Sequence, residues 1–501
     1  MNNNKIVLLF IVLLFLGQQT HAQQEFTMYH MSALSQSTYL NPASVPEHKL
    51  SISIPGLFIP STFVGFNNSA FSVKAFLAKD GTVDYSKFVN SLSEDKNYIG
   101  LGAKVELFNV RFKAANNFFS LSSQVVTDFR FTYPKDLMGI AQTGINTGYS
   151  LSGLGVHLNS YLEYAAGYTH VKPDSKWTYG GRMKLLKGIA NVQTKKSEIE
   201  LKVDQNDLYN YDLNANMQIN VGAGVDGSVY KTIDDLSNLN LSVTNFSDAK
   251  QLLKTLNKGF SVDLGTTFQF TEKASFGASL LNVGFINWKS FAQNYSINSN
   301  LSLDGVTLKN LDFKSNLDSL INVQVDSIVQ TYETEFKNGI DTTSNAYKTW
   351  LPAQLFLSAN YQLTPKFRTT ASVYTEFFNG ISVGTVVGAN YRFGRSFDLT
   401  ASWWWLRKSS SNLGIGLVFK PWFGQIYLVM DNILPASFVK VSDPELGINQ
   451  VLLPYEIKNF NLRVGMNLVF GKIRDENQLA KFGLTKRKNG VRKYLYKPSY
   501  K

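Results

Sequence analysis

The chain has 501 residues, of which 17% are charged and 13% aromatic, and its formal net charge is +12. It contains no cysteine, which excludes a disulfide framework, a thiol-ligated metal site and a lipid anchor on cysteine. The low charge and the mean hydropathy of -0.11 fit alternating apolar and polar segments better than long apolar spans.

The first 22 residues have the layout of a secretory signal peptide. Lys5 precedes an apolar run over residues 6–16, and Thr20 and Ala22 are the small residues at the two positions that a signal peptidase reads. We therefore predict cleavage after Ala22 and export of the mature protein. A retained anchor helix is the alternative, but the run is too short to span a bilayer comfortably. No later run reaches the ~20 apolar residues of a transmembrane helix.

The mature chain begins with a segment that disfavours regular structure. Asn41-Pro42 and Pro46 fall within residues 23–49, so we predict a short irregular segment that leads into the first strand. Residues 50–471 then consist of runs in which every second residue is apolar. Polar stretches at 222–258 and 289–347 interrupt these runs, and we expect long loops or a plug there, with short helices in the loops.

The clearest two-faced runs lie between residues 350 and 470. In the run that starts at Leu413, apolar residues alternate with small or charged ones: Ile415, Leu417 and Phe419 against Gly414, Gly416 and Lys420. Such runs number about 14, with 12 to 16 defensible, and at ~9 to 12 residues each could cross a bilayer at a tilt. Apolar faces packed on each other would instead make a soluble sandwich. The opposite faces carry Gly, Ser, Asn, Arg and Glu, which favours an all-β fold, a transmembrane antiparallel β-barrel with a polar lumen.

The alternation predicts which charged and aromatic side chains face inward or outward. The charges expected in the lumen have both signs, and we predict that most form cross-strand pairs while a minority bind solute. They are Lys104, Glu106, Asp128, Arg130, Glu163, Arg182, Asp263, Arg368, Glu376, Arg392, Asp398 and Arg463. Trp403, Trp404 and Trp405 at a strand end predict an aromatic girdle at the lipid headgroups, and a buried aromatic cluster is the alternative.

No catalytic motif stands in a fitting context. Residues 380–384 match the Gly-x-Ser-x-Gly pattern, but they begin an alternating strand and not a strand-to-helix turn. His157 and His170 bracket one strand and would lie ~40 Å apart in extended chain, too far to share a metal. We therefore expect no enzyme activity, no metal and no cofactor.

Three short motifs resemble an uncharacterised family of Bacteroidota outer-membrane barrels. They are Leu40-Asn41-Pro42-Ala43, the strand end Gly284-Phe285-Ile286-Asn287-Trp288, and Asp431-Asn432 at the end of a late strand. The opening motif is also similar to that of PorP and SprF, barrels attached to type IX secretion and gliding motility. The resemblance implies a place in the cell outer membrane more than a mechanism.

The last 30 residues form a basic tail. Residues 472–501 contain ten Lys or Arg and two Asp or Glu, which is +8 of the formal +12. The tail is either a solvated extension or a contact for anionic headgroups, cell wall or an acidic protein. Export argues against a nucleic-acid partner.

Two main functions remain open from the sequence. The first is a scaffold or partner of envelope or secretion machinery in the outer membrane. The alternative is a transporter or pore for a hydrophobic or small solute, as in the fatty-acid transport barrels. An outer-membrane enzyme is a third hypothesis, which would need a cluster of Ser, His and Asp on the lumen or rim.

Overall fold

The computed structural model describes residues 25–53, 59–69, 84–94, 97–143, 147–171, 175–204, 210–224, 254–303, 338–378, 380–394, 396–406, 409–433, 438–443, 448–454, 459–472, 487–488 and 491–492. Among these residues, no helix has the length and apolar character needed to cross a membrane. The predicted signal peptide and its cleavage site at Ala22 lie outside the described residues, as does most of the basic tail.

The described helices are short, and they lie before the first strand or between consecutive strands. They are α1 (Phe26–Tyr29), a 3-10 helix (Ser35–Tyr39), α2 (Tyr85–Ser91) and α3 (Lys135–Thr143). Asp84 caps α2, because its carboxylate accepts the backbone N–H of Lys87 at 3.0 Å. Both α2 and α3 stand in connections between strands.

The strands account for most of the described chain. They are β1 (His48–Ser53), β2 (Thr62–Asn68), β3 (Asn97–Ala114), β4 (Asn117–Tyr133), β5 (Tyr149–Ser150), β6 (Gly155–Val171), β7 (Trp177–Val203), β8 (Tyr211–Ala223), β9 (Lys258–Gln269), β10 (Ala274–Trp288), β11 (Gln293–Leu303), β12 (Ile340–Thr343), β13 (Tyr347–Trp350), β14 (Ala353–Thr364), β15 (Phe367–Phe377), β16 (Ile381–Phe393), β17 (Phe397–Leu406), β18 (Ser409–Phe419), β19 (Gly424–Asp431), β20 (Phe438–Asp443), β21 (Ile448–Pro454), β22 (Asn459–Lys472), β23 (Arg487–Lys488) and β24 (Val491–Arg492).

Antiparallel pairing closes these strands into a 14-stranded barrel, which confirms the predicted fold class. β1 and β2 share one position, since both pair with β3 and β22. β13 and β14 likewise share the position beside β10. Around the ring, the order is β1/β2, β3, β4, β6, β7, β9, β10, β13/β14, β15, β16, β17, β18, β19 and β22.

The two ends of the barrel differ. At one end, here called the turn end, a few residues each connect β3 to β4, β6 to β7, β9 to β10, β14 to β15, β16 to β17 and β18 to β19. β22 ends there beside the start of β1, with Lys472 opposite His48. The opposite end is here called the loop end; β3 begins there with Asn97 opposite Tyr133, the last residue of β4.

Wall height also changes around the ring. β3, β4, β6 and β7, the tall wall, have 18, 17, 17 and 27 residues. β14 to β19, the short wall, have 12, 11, 13, 10, 11 and 8. Beyond the barrel, residues 190–203 of β7 continue into an outer sheet in which β8 pairs with β7 and β11, and β12 pairs with β11.

Aromatic rings circle the outer face near the turn end. Phe119 lies between Phe112 at 5.6 Å and Tyr168 at 5.4 Å, and Trp177 lies 4.5 Å from Phe268, measured between ring centroids. The rings continue through the pairs Phe270–Phe276, Phe367–Tyr391, Tyr391–Phe393 and Phe393–Phe397. Membrane barrels place such rings at the lipid headgroups. The sequence signal was an aromatic residue beside each short turn.

The three consecutive tryptophans divide between the two faces of β17. Trp405 is 41% exposed on the outer face, and Trp403 points to the same side because the side-chain period of a strand is two. Trp404 is 1% exposed and packs against Phe26 inside the barrel, with ring centroids 5.1 Å apart. The girdle prediction is therefore wrong for Trp404, which belongs to the alternative, a buried aromatic cluster.

Candidate functional site in the barrel lumen

The lumen holds the N-terminal part of the described chain. Residues 25–47, here called the lumen segment, run from Glu25 near the loop end to Glu47 at the turn end, and most of their side chains are buried. The sequence predicted an irregular lead into the first strand and put a possible plug at 222–258 or 289–347. Residues 225–253 and 304–337 of those stretches lie outside the described residues. Among the residues that the structure describes, the segment inside the barrel is the one that precedes β1.

A buried ion cluster holds the loop end of the lumen segment. Arg463 of β22 binds both carboxylate oxygens of Glu25, with Nη2 at 3.0 Å from Oε2, and Lys104 of β3 binds the same carboxylate at 2.9 Å. Burial alone would raise the pKa of Glu25, but Arg463 and Lys104 outweigh it and lower the pKa to about 2. Glu25 is therefore ionised and fixed to two wall strands.

Apolar side chains of the lumen segment pack against the short wall. Phe26 meets Tyr374 edge to face at 5.4 Å, and Tyr29 stacks on Phe356 at 4.5 Å. The buried cluster on this side consists of Phe26, Met28, Met31, Leu34, Leu40, Leu281, Phe356, Tyr374, Val386, Trp404, Val418, Tyr427 and Val429. Because five of its members come from the lumen segment, the inner face of the short wall completes its apolar core only with that segment in place.

The Leu40-Asn41-Pro42-Ala43 motif docks against wall glycines. Ser279 donates to the carbonyl of Leu40 at 2.7 Å, and Thr169 donates to the carbonyl of Pro42 at 2.7 Å. A Cβ atom at Gly180 of β7 would overlap the Pro42 carbonyl, which explains why this inward position is a glycine. The motif that carried the family resemblance is thus a packing element inside the barrel.

Glu47 closes the lumen segment at the turn end. Its carboxylate binds Lys420 at 2.8 Å and also binds Arg392 of β16. Asp398 of β17 binds both of these cations, with Arg392 Nε at 3.5 Å. Three neighbouring strands are therefore tied to the residue that precedes β1.

The tall wall carries an ion network of its own. Arg182 binds Glu163 at 3.2 Å and Asp263 at 3.1 Å, and Lys184 binds Asp263 at 2.7 Å. All four side chains are at most 4% exposed. Asp263 also accepts the backbone N–H of Asn282 at 2.8 Å, where β10 bulges with a positive φ of 58°. The network thus links β6, β7, β9 and β10.

The predicted inward charges divide into those that bind the lumen segment and those that bind the wall. The first group contains Lys104, Glu106, Arg368, Arg392 and Arg463; Glu106 accepts bonds from Gln36 and Tyr39, and Arg368 donates to the carbonyl of His30. The second group contains Glu163, Arg182 and Asp263, with Asp398 bound to Arg392 and Lys420. Arg182 also contacts the lumen segment, since its guanidinium lies 4.6 Å from the centroid of the Tyr39 ring. Glu376 accepts a bond from Tyr374 at 2.7 Å, and Arg130 lies over the Phe378 ring at 5.1 Å beside Asp128.

A pocket of about 380 Å³ opens near the loop end. Its lining combines three aromatic residues with one amine and one amide: Gln193, Lys348, Trp350, Leu351, Phe377, Phe378 and Gly380. Trp350 is 66% exposed, and the Lys348 ammonium lies 5.0 Å from the centroid of the Phe285 ring. The sequence did not single out this pocket, because its residues come from three strands and two connections.

Within the part of the chain that the structure describes, no group of three or more His, Asp or Glu side chains could hold a metal ion. His157 stacks edge to face on Phe378 at 5.0 Å, while His170 lies at the turn end and contacts Asn117 at 2.7 Å. The two histidines therefore serve separate local contacts.

The fold and its contents define the class of protein: a closed β-barrel whose lumen is occupied by its own N-terminal segment. Residues 42–431 match the model described as "Family of unknown function (DUF5723)", and the chain belongs to this family. A search of the curated proteins finds no match.

Several solved barrels are similar at low identity. A TodX monoaromatic hydrocarbon channel mutant has a TM-score of 0.43 and 10% identity, over 87% of this chain and 95% of that one. The Ralstonia pickettii toluene transporter TbuX has 0.41 and 9%, over 87% and 94%. A Pseudomonas aeruginosa FadL homologue has 0.42 and 8%, over 91% and 100%. All three TM-scores are below 0.5, so the barrel assignment rests on the strand pairing of this chain. The resemblance to PorP and SprF stays a prediction.

Proposed function

We propose that the protein is an outer-membrane barrel that passes a small apolar or amphiphilic solute and that its lumen segment controls the path. The observation that carries the proposal is the aromatic pocket at the loop end of a barrel whose lumen is filled by a removable part of the same chain. Short turns of outer-membrane barrels face the periplasm, so the proposal has the pocket face the cell surface.

The lumen segment is held by contacts that can open without breaking the wall. In the described residues it contributes helices and turns, and none of the 14 barrel positions is filled by it. Its attachments are ion pairs, side-chain hydrogen bonds and apolar packing. A change that releases these contacts would free the lumen while every wall strand keeps its two neighbours.

The scaffold hypothesis is the second candidate. It is supported by the outer sheet, which extends the tall wall beyond the barrel, and by the basic tail that follows β22. A scaffold needs no solute path, so the two functions differ in whether uptake depends on movement of the lumen segment.

A disulfide between the lumen segment and the wall tests this difference. The chain has no cysteine, and the hydroxyls of Thr27 and Ser402 lie 2.7 Å apart, so Thr27→Cys with Ser402→Cys places two thiols in bonding range. Thr127 and Ser160, whose hydroxyls lie 2.8 Å apart on β4 and β6, provide a matched pair within the wall.

The measurement is uptake of a fluorescent long-chain alcohol by proteoliposomes. We expect oxidation of the Thr27–Ser402 cysteine pair to reduce uptake to the level of protein-free liposomes and a reductant to restore it. The Thr127–Ser160 pair should leave uptake unchanged in both states. Equal uptake by the oxidised and reduced forms of the first pair, or no uptake by the unmodified protein, would refute the channel function and favour the scaffold.

A further inference from the structure

The outer sheet presents one face made of amide and other polar side chains. Register places five rows of three residues on it, across β7, β8 and β11: Gln193, Asn220, Asn294; Lys196, Gln218, Ser296; Glu198, Asn216, Asn298; Glu200, Asn214, Asn300; Lys202, Asp212, Ser302. We call this set the amide face. It contains six Asn and two Gln among its 15 members, and no apolar residue.

This composition is not what strand formation favours. Asn is depleted in strands, where Val, Ile and Thr fit the pleated surface better. The opposite face follows that preference, with buried Ile199, Leu201, Tyr295, Ile297 and Leu301. Because the two faces alternate along the same strands, the amides are confined to one side, and a role for their donors and acceptors explains them better than strand stability does.

The charges on the amide face nearly cancel. Two lysines stand against two glutamates and one aspartate, and most of these side chains are exposed. An anionic or cationic ligand would be matched by charges of one sign, whereas amides pair with neutral groups that both donate and accept. The face therefore suits a neutral, hydroxyl-bearing ligand.

The inner end of the amide face meets the pocket. Gln193 lines the pocket, and Asn220 is its cross-strand partner. The Oε1 atom of Gln193 and the Nδ2 atom of Asn220 are buried and have no hydrogen-bond partner. A buried amide atom without a hydrogen bond costs free energy of folding. One hydroxyl group of a ligand can satisfy both atoms, because it donates to the Gln193 oxygen and accepts from the Asn220 nitrogen.

We propose that the solute of this barrel carries a neutral polyhydroxylated group, such as a glycosyl unit, which the amide face guides to the Gln193–Asn220 pair while the aromatic pocket takes its apolar part. This inference rests on the proposed function, since it names the solute class of the same pocket. The glycosyl group would then belong to an amphiphile such as a glycolipid, whose alkyl part the aromatic pocket takes.

Calorimetric titration of the full-length protein in nanodiscs tests the proposal. The probes are hexyl maltoside, 1-hexanol, sodium hexanoate and maltotriose. We expect hexyl maltoside to bind more tightly than hexanol and hexanoate. Maltotriose has the sugar without an alkyl chain and should bind more weakly than hexyl maltoside, because it leaves the aromatic pocket empty. An equal affinity of maltotriose would contradict the role of the pocket.

Two Gln→Met substitutions, which preserve the side-chain volume, test which residue supplies the affinity for the sugar. Gln193→Met keeps the side-chain volume and removes the amide, so the affinity for hexyl maltoside should fall about fivefold while that for hexanol stays the same. Gln269→Met, at the turn end, is the matched control and should change neither. Tighter binding of hexanoate, or a maltoside affinity that ignores Gln193→Met, would overturn the proposal.

The outcomes also separate this inference from the channel function. If proteoliposomes take up the fluorescent alcohol but the sugar adds no affinity, the channel stands and the glycosyl proposal falls. If hexyl maltoside binds in a Gln193-dependent way but no solute crosses, the binding site stands and the channel falls.

Discussion

The short wall and the tall wall present different kinds of side chain to the filled lumen. The inner face of the short wall is apolar where Phe356, Tyr374 and Trp404 meet the lumen segment. The inner face of the tall wall is ionic, with Arg182 and Lys184 set against Glu163 and Asp263. Each wall also holds the segment by an ion pair, Lys104 with Glu25 on the tall wall and Arg392 with Glu47 on the short wall. The two walls therefore differ in the apolar packing, which is concentrated on the short wall.

The strands of the two walls also differ in length. A strand of ~9 to 11 residues crosses a bilayer at a tilt, and the short-wall strands, with 8 to 13 residues, lie close to that length. The 27 residues of β7 are more than twice that length, and residues 190–203 form the outer sheet with β8 and β11. The tall wall therefore extends beyond the barrel and carries the outer sheet there.

The largest expected effect comes from breaking the ion network of the tall wall. Asp263→Ala leaves Arg182 and Lys184 with Glu163 as their remaining carboxylate and removes the acceptor for the Asn282 N–H. Breaking a buried pair in this way should cost about 3–5 kcal/mol in the free energy of unfolding. Gel mobility after heating through a temperature series measures the loss. Asp341→Ala, an exposed carboxylate in β12, is the control, and an equal effect of both would contradict the role of the network.

A smaller effect is expected where the short wall meets the lumen segment. Trp404→Ala opens a cavity beside Phe26 and should cost about 3 kcal/mol, while Trp405→Ala on the outer face should cost less than about 1 kcal/mol. Limited proteolysis of the lumen segment, run beside the unfolding series, should show faster cleavage for Trp404→Ala alone. Equal cleavage of the two variants would show that Trp404 does not hold the segment.

The smallest effect is expected at the contact between the tall wall and the Leu40-Asn41-Pro42-Ala43 motif. Gly180→Ala forces the Pro42 carbonyl away and should cost about 1–3 kcal/mol, with increased proteolysis of the lumen segment. Gly181→Ala is the neighbouring control, because its methyl group would meet Leu264 Cδ2 at 3.8 Å, an ordinary contact. If Gly180→Ala and Gly181→Ala have the same free energy of unfolding and the same rate of proteolysis, steric fit at Gly180 does not hold the motif in place.

The barrel itself could be predicted because strand alternation is visible in one dimension. The same reasoning assigned Asp398 inward, and its strict application along β17 would have turned Trp404 inward as well. The sequence did not predict that residues 25–47 lie in the lumen, because Asn41-Pro42 and Pro46 indicated only an irregular segment. Bare inward glycines, such as Gly180 and Gly414, were the available signal that something packs closely against the wall.

By itself, the sequence determined the two-faced strands, the approximate strand number and the inward direction of the charges, because side-chain direction along a strand is a local property. The tertiary structure decided the partner of each charge and the occupant of the lumen. Glu25 and Arg463 are 438 positions apart, and His30 and Arg368 are 338 apart. Such contacts form only when the ring closes around the N-terminal segment, and no local pattern encodes which inward charge will face which part of it.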